Sequence, residues 1–99
     1  MLNIDKTIEN GIAVFALEGR LDTTTAPMLD KAFKESLDGV RELTLDFSQL
    51  TYLSSAGLRV LLSAQKRMNK QGGMKIAHVN DIVREIFDVT GFSDILTIE

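Results

Sequence analysis

Residues 42–62 read ELTLDFSQLTYLSSAGLRVLL, and a change of hydrophobic period within them decides the fold. In the first six residues apolar and polar side chains alternate, which is typical of a β-strand. In the last third the apolar side chains recur at the spacing of an α-helix. The predicted elements are a strand over Glu42–Phe47, a loop over Ser48–Ser54 and a helix from Ser55 or Ala56 to about Lys70.

Two short β-rich runs precede this stretch, and they predict a hairpin. The runs Leu2–Thr7 and Ile12–Glu18 flank Asn10-Gly11, and Asn-Gly is the strongest short signal of a β-hairpin. Gly19 is expected to end the second strand, so that Arg20–Ala26 forms a connecting loop.

The remaining elements alternate between helix and strand. They are a helix from about Pro27 to about Asp38, a strand over Met74–Val79, a helix that begins after Asn80 or Asp81 and ends at Gly91, and a short strand over Ile95–Ile98. The order ββαβαβαβ predicts one α/β domain over residues 1–99. Its sheet is expected to be mixed and mostly parallel, with an N-terminal antiparallel hairpin and with the helices mainly on one face.

The composition excludes several classes of function. A net charge of −3 argues against general nucleic-acid binding, and the absence of cysteine excludes disulfide frameworks and thiolate zinc sites. The only histidine, His78, rules out a histidine-rich metal site. No apolar run reaches the ~20 residues of a membrane span, and the N-terminus lacks the pattern of a signal peptide. A cytoplasmic location without membrane insertion is therefore expected.

Familiar catalytic patterns are missing. The stretch 72–75, Gly-Gly-Met-Lys, lacks the upstream glycine and the hydroxyl residue of a phosphate loop, which favours a turn. His78 is expected in a strand, as a packed or edge residue. No spacing pairs the carboxylates at Asp22, Asp46, Asp81 and Asp88 for acid–base chemistry. The sequence thus predicts no enzyme, no catalytic residue, no cofactor and no metal.

The junction before the second helix carries two hydroxyls, Ser54 and Ser55, followed by the small residues Ala56 and Gly57. The start of a helix presents free N–H groups and a positive dipole end, which accept anions. One serine is expected to be the N-cap, and either is a candidate for phosphorylation; the two roles are compatible.

Charge is distributed unevenly along the chain. No acidic residue occurs between Thr51 and Val79, whereas Arg59, Lys66, Arg67 and Lys70 lie largely on one side of the predicted helix.

Several motifs together resemble the STAS family of sulfate-transporter and anti-sigma-factor-antagonist domains over essentially the whole chain. The matching stretches are Gly19-Arg20-Leu21-Asp22 with Ala26, Asp46–Leu62 with its Ser54-Ser55-Ala56-Gly57 core, Gly72-Gly73, and Val83–Phe92. A free-standing domain of this size is similar to bacterial anti-sigma factor antagonists. In that family an aspartate usually stands at the position of Ser54, and the serine that follows it is phosphorylated. The resemblance therefore implies that Ser55 is the phosphorylation site, with Ser54 as the second candidate.

The resemblance also implies a phosphorylation-controlled partner switch. The unphosphorylated protein would bind an anti-sigma factor that is a serine kinase, releasing the sigma factor, and a serine phosphatase would reset it. The expected partner-binding residues are Asp22, Thr23, Tyr52, Ser54, Ala56, Gly57 and Arg59. Asp22 is equally interpreted as a cap of the first helix, and Arg59 as a solvated helix residue. The oligomeric state is expected to be monomeric.

The sequence is also compatible with two other functions. Ser54 in place of aspartate favours a non-phosphorylated STAS interaction module of a sensory complex or of a lipid-transport ATPase. The third hypothesis is an enzyme or a nucleotide-binding domain, and titration with ATP and GTP would detect such binding.

Overall fold

A computed structural model describes all residues from Met1 to Glu99. The elements are strands β1 (Leu2–Glu9), β2 (Ile12–Leu21), β3 (Glu42–Leu53) and β4 (Gly73–Ala77), helices α1 (Ala26–Ser36), α2 (Ser55–Gln71) and α3 (Asp81–Thr90), and a 3₁₀ turn over Phe92–Asp94. The sheet order is β1-β2-β3-β4, in which β1 pairs antiparallel with β2 and the other pairs are parallel. The predicted α/β class, hairpin and mixed sheet are confirmed. None of the helices combines the length and apolar character needed to cross a membrane.

All three helices cover one face of the sheet. Phe15 of β2 packs against Phe33 of α1 at 5.1 Å between ring centroids. Phe47 of β3 stacks on Phe87 of α3 at 6.4 Å. Helix α2 contributes the fully buried Leu61 to the same core. Because each parallel connection adds its strand in the same direction, right-handed crossovers place every helix on this face, as predicted.

The predicted end of the second strand at Gly19 is wrong, because β2 continues to Leu21. Gly19 lies in the strand at φ +104, next to a shift of register with β3. A Cβ atom there would lie 2.2 Å from the carbonyl oxygen of Met1, so only glycine admits this approach. The glycine thus lets β2 continue past the close approach of Met1, and the connecting loop shortens to residues 22–25.

The predicted loop over Ser48–Ser54 is also wrong, since β3 extends to Leu53. Its buried residues alternate as far as Phe47 and then fall at Leu50 and Leu53, three residues apart. At each of the two register shifts β3 has one residue more than β2, so the two strands stay paired although the spacing of buried residues in β3 changes. The pairing brings Arg20 beside Tyr52 and Leu21 beside Leu53.

Two predictions near the C-terminus need correction. The expected strand Ile95–Ile98 is reduced to a single parallel bridge between Ile98 and Ile76, because a 3₁₀ turn occupies the preceding residues. His78 does not lie in a strand: β4 ends at Ala77, and His78 has a left-handed φ of +60. Asn80 is the N-cap of α3, where its Oδ1 accepts from the N–H of Val83 at 2.9 Å.

Candidate functional site

The carboxyl ends of β2 and β3 bring the candidate residues together at one edge of the sheet. The turn over residues 22–25 follows β2, and Ser54 follows β3. The N–H of Ser54 donates to the carbonyl of Leu21 at 2.9 Å, which ties the two segments to each other. The sequence stretches that carry Asp22 and Ser55 are therefore neighbours in the fold, although more than thirty residues separate them.

The two serines have different environments, which resolves their roles as caps. Ser54 is the N-cap of α2: its Oγ accepts from the N–H of Gly57 at 3.3 Å, and its carbonyl accepts from Leu58 at 2.9 Å. Ser55 is the first residue of the helix, is exposed, and does not take part in the cap. The Ser55 hydroxyl is therefore exposed to solvent and is not needed for the start of the helix.

Gly57 allows α2 to begin close to the sheet. It is buried, and a Cβ atom at this position would lie 2.7 Å from Cγ of Leu21 and 2.8 Å from Cδ1 of Leu53. Ala56 is half-buried and packs against the core. Of the expected partner-binding residues, these two therefore support the surface from beneath, whereas Thr23, Tyr52 and Arg59 are exposed.

Asp22 organises the turn that faces the serines. Its Oδ1 accepts from the N–H of Thr24 at 3.0 Å, from the Thr24 hydroxyl at 2.8 Å and from the N–H of Thr25 at 3.1 Å. The buried Thr25 hydroxyl donates to the carbonyl of Arg20 at 2.8 Å. The N-cap position of α1 is Thr25, which makes no side-chain cap bond. Asp22 thus fixes the loop before α1 rather than capping the helix directly.

These hydrogen bonds lower the pKa of Asp22 from 3.8 to about 2, with the Thr24 hydroxyl as the largest cause, against an opposing effect of desolvation. Because the native state holds the carboxylate ionised, its contribution to stability is complete above pH 3.8 and is lost as the pH falls through about 2. We expect an NMR titration of the Asp22 side chain to have its midpoint near 2, and Thr24→Ala to move that midpoint upward. A wild-type midpoint at 3.8 would contradict the geometry of this turn.

Arg20 is a member of the site that the sequence did not single out. Its guanidinium lies 4.2 Å from the centroid of the Tyr52 ring, a cation–π contact, and its Nε is 3.7 Å from Oδ2 of Asp22. The register shift between Gly19 and Arg20, at which β3 has the extra residue Thr51, creates this grouping because it places Arg20 opposite Tyr52. A sequence pattern gives no signal of it.

Asp46 and His78 are electrostatic neighbours that the sequence analysis did not identify. The N–H of Ser48 donates to Oδ1 of Asp46 at 2.9 Å. That bond is the main cause of a lowered pKa of Asp46, to which the charge of His78 adds a smaller effect. The two residues are neighbours because Asp46 pairs with Ala77, next to His78 in the chain.

The main cavities of the molecule lie away from Ser55. The five main cavities of the molecule, of 170 to 550 Å³, are not lined by Asp22, Tyr52 or Ser55. No group of three or more histidine and carboxylate side chains is placed to hold a metal ion. An exposed hydroxyl on a surface held by a fixed turn and a capped helix suits contact with a protein, since small-molecule sites are concave.

Comparison with known proteins identifies the family. The STAS domain model matches residues 3–99. The anti-sigma-B factor antagonist of Bacillus subtilis is 31% identical over 99 residues, which span 98% of this chain and 90% of that protein. A solved anti-sigma factor antagonist from Mycobacterium paratuberculosis has a TM-score of 0.88 at 23% identity, over 99% of this chain and 85% of that chain.

The solved structure of the Bacillus cell fate determinant SpoIIAA in its phosphorylated form has a TM-score of 0.74 at 15% identity, over 100% of this chain and 91% of that chain. These two structural likenesses concern the fold. The match to the family model extends over nearly every residue and agrees with the motifs around Asp22 and Ser55. The chain belongs to the STAS domain family.

Proposed function

We propose that this protein is an anti-sigma factor antagonist and that phosphorylation of Ser55 controls its binding to an anti-sigma factor. The observation that carries the proposal is the exposed Ser55 at the start of α2, beside the Asp22 turn. The family supports it, since the Bacillus subtilis relative is named an anti-sigma-B factor antagonist. The protein would be bound and modified, and would catalyse nothing itself.

In the unphosphorylated protein, the binding surface would consist of the exposed side chains at this edge of the sheet. Thr23 lies on the turn that Asp22 fixes, and the Tyr52 ring packs against the Arg20 guanidinium. Arg59 lies one helical turn after Ser55. The supports beneath are rigid, because Ser54 caps the helix and Gly57 packs against Leu21. A preformed surface of this kind costs little ordering on binding.

Phosphorylation would end binding by local electrostatics. A phosphoserine adds about −1.5 to −2 charges at pH 7. The free N–H groups of α2 stabilise that charge in the isolated protein, whereas a close protein interface without a counter-charge would have to desolvate it. The complex would therefore dissociate, and a serine phosphatase would restore the binding form.

The replacement of the usual aspartate by Ser54 is compatible with this switch. Aspartate and serine are both good N-cap residues, and Ser54 accepts the hydrogen bond from Gly57 that such a cap requires. The substitution removes a negative charge next to Ser55 but leaves the start of the helix intact. It does favour one alternative, a STAS interaction module that is never phosphorylated, in a sensory complex or beside a lipid-transport ATPase.

The test is incubation of the purified protein with ATP and the serine-kinase anti-sigma factors of its organism. We propose that this protein and its kinase both act in the cytoplasm. We expect one of them to co-purify with the unphosphorylated protein and to phosphorylate Ser55, as mapped by mass spectrometry. Capture of a transporter or sensory subunit, with no phosphate on either serine, would favour the alternative. Specific, tight binding of ATP or GTP by the protein alone would contradict both functions.

A further inference from the structure

Ser55 heads a row of exposed residues that follows the length of α2. Residues 55, 59, 63, 66 and 70 are spaced by three or four positions, which places them on one side of the helix. We call the last four of them, Arg59, Ser63, Lys66 and Lys70, the basic stripe; all four are exposed. From Ser55 to Lys70 the row is about 22 Å long.

The charges of the basic stripe are not neutralised within the molecule. Ion pairs hold Arg20, Lys34, Arg67 and Lys75, but Arg59, Lys66 and Lys70 form none. Helix α2 contains no acidic residue in any of its 17 positions. Free cations on a solvated helix are usually interspersed with acidic partners at i,i+4, so three without any form a distinct surface.

Five of the fourteen acidic residues lie on the opposite side of the molecule from the basic stripe. The sheet face that carries no helix presents Asp5, Glu9, Glu18, Glu42 and Asp46. The chain as a whole is acidic, with a net charge of −3. The basic stripe and the open sheet face therefore carry charges of opposite sign, and such a difference helps to orient an approaching charged partner before contact.

We propose that the basic stripe is the docking surface for an acidic face of the protein partner, and that it extends the binding surface around Ser55 along α2. This inference rests on the proposed function for the identity of the partner, and it adds the partner's chemistry. It also adds a second effect of phosphorylation: the phosphate would offset part of the positive charge at the head of the basic stripe and weaken its attraction for the acidic face.

A protein partner fits these observations better than a nucleic acid. The stripe offers three cations on a single helix, and the acidic sheet face and net negative charge would repel a long polyanion that wraps around the domain. The continuity of the stripe with Ser55 also places it where the proposed kinase must approach.

The first test measures association rates with the kinase-type anti-sigma factor that the incubation experiment identifies. We expect Lys66→Glu/Lys70→Glu to slow association about tenfold and to reduce its dependence on salt, because peripheral charges act mainly on the association rate. The matched control is Lys31→Glu/Lys34→Glu on α1, which makes the same change in net charge on another exposed helix surface. Equal effects of the two double variants would overturn the proposal.

A second test does not depend on that partner. We expect poly-L-glutamate, added to the ¹⁵N-labelled wild-type protein, to shift the amide signals of residues 55–70 at low salt, and the Lys66→Glu/Lys70→Glu variant to lose those shifts. Shifts centred on α1, or tighter binding of single-stranded RNA than of poly-L-glutamate of equal charge, would overturn the inference. If shifts on α2 occur while no kinase binds, the proposed function fails and the acidic docking surface stands.

Discussion

Ser55→Ala is expected to abolish phosphorylation while leaving binding of the anti-sigma factor intact, and Ser55→Asp is expected to weaken that binding tenfold or more, about 1.4 kcal/mol. Ser55 is exposed and takes no part in the cap, so removal of its hydroxyl leaves the surface in place. An aspartate at the first position of a helix stabilises the helix through its dipole. Weaker binding by Ser55→Asp could therefore not be attributed to loss of structure. Isothermal titration and phosphosite mapping measure the two effects.

The matched control for this prediction is Ser54→Ala. It removes the N-cap bond to Gly57 and should cost about 1 kcal/mol of stability. Because Ser55 remains available, phosphorylation of this variant should continue. If the Ser55→Ala protein were still phosphorylated stoichiometrically, or if a folded Ser54→Ala protein were not phosphorylated at all, the acceptor would be Ser54 and not Ser55.

The parts of the fold that the sequence predicts are those where periodicity and turn chemistry agree. The hairpin at Asn10-Gly11, the helix that begins at Ser55 and the cap at Asn80 are all local patterns. The predicted ends of two strands are wrong for one shared reason. Near Gly19 and after Phe47, shifts of register interrupt the alternation of buried and exposed residues. Pairing between β2 and β3 extends both strands through residues whose own pattern does not indicate a strand.

In the candidate site, too, the residues in local motifs could be predicted, whereas the contacts between strands could not. Ser54, Ser55 and Asp22 stand in motifs, and the structure brings them to one edge of the sheet. The stacking of Arg20 on Tyr52 and the approach of His78 to Asp46 depend on which residues face each other across strands. No spacing within one segment carries that information, and a bulge of one residue changes it.

An aromatic pair contributes to the attachment of α3 to the sheet. Phe87 is fully buried and lies with its ring at 28° to that of Phe47, with 6.4 Å between the centroids. On the same helix Val89 is 80% exposed. The two positions therefore differ in burial but share an element, and truncation of each to alanine compares core packing with helix surface directly.

Phe87→Ala is expected to lower the free energy of unfolding by about 3–5 kcal/mol, since it removes buried surface and leaves a cavity against Phe47. That loss is a large part of the 5–15 kcal/mol typical of a domain. Val89→Ala should change stability by less than about 0.5 kcal/mol. Urea unfolding followed by circular dichroism measures both. The Ser55 surface is built on α2 and the Asp22 turn, so the folded fraction of Phe87→Ala should still be phosphorylated at Ser55. A loss below 1 kcal/mol would mean that α3 is held by other contacts, such as the bond from Nδ2 of Asn80 to the carbonyl of Leu50.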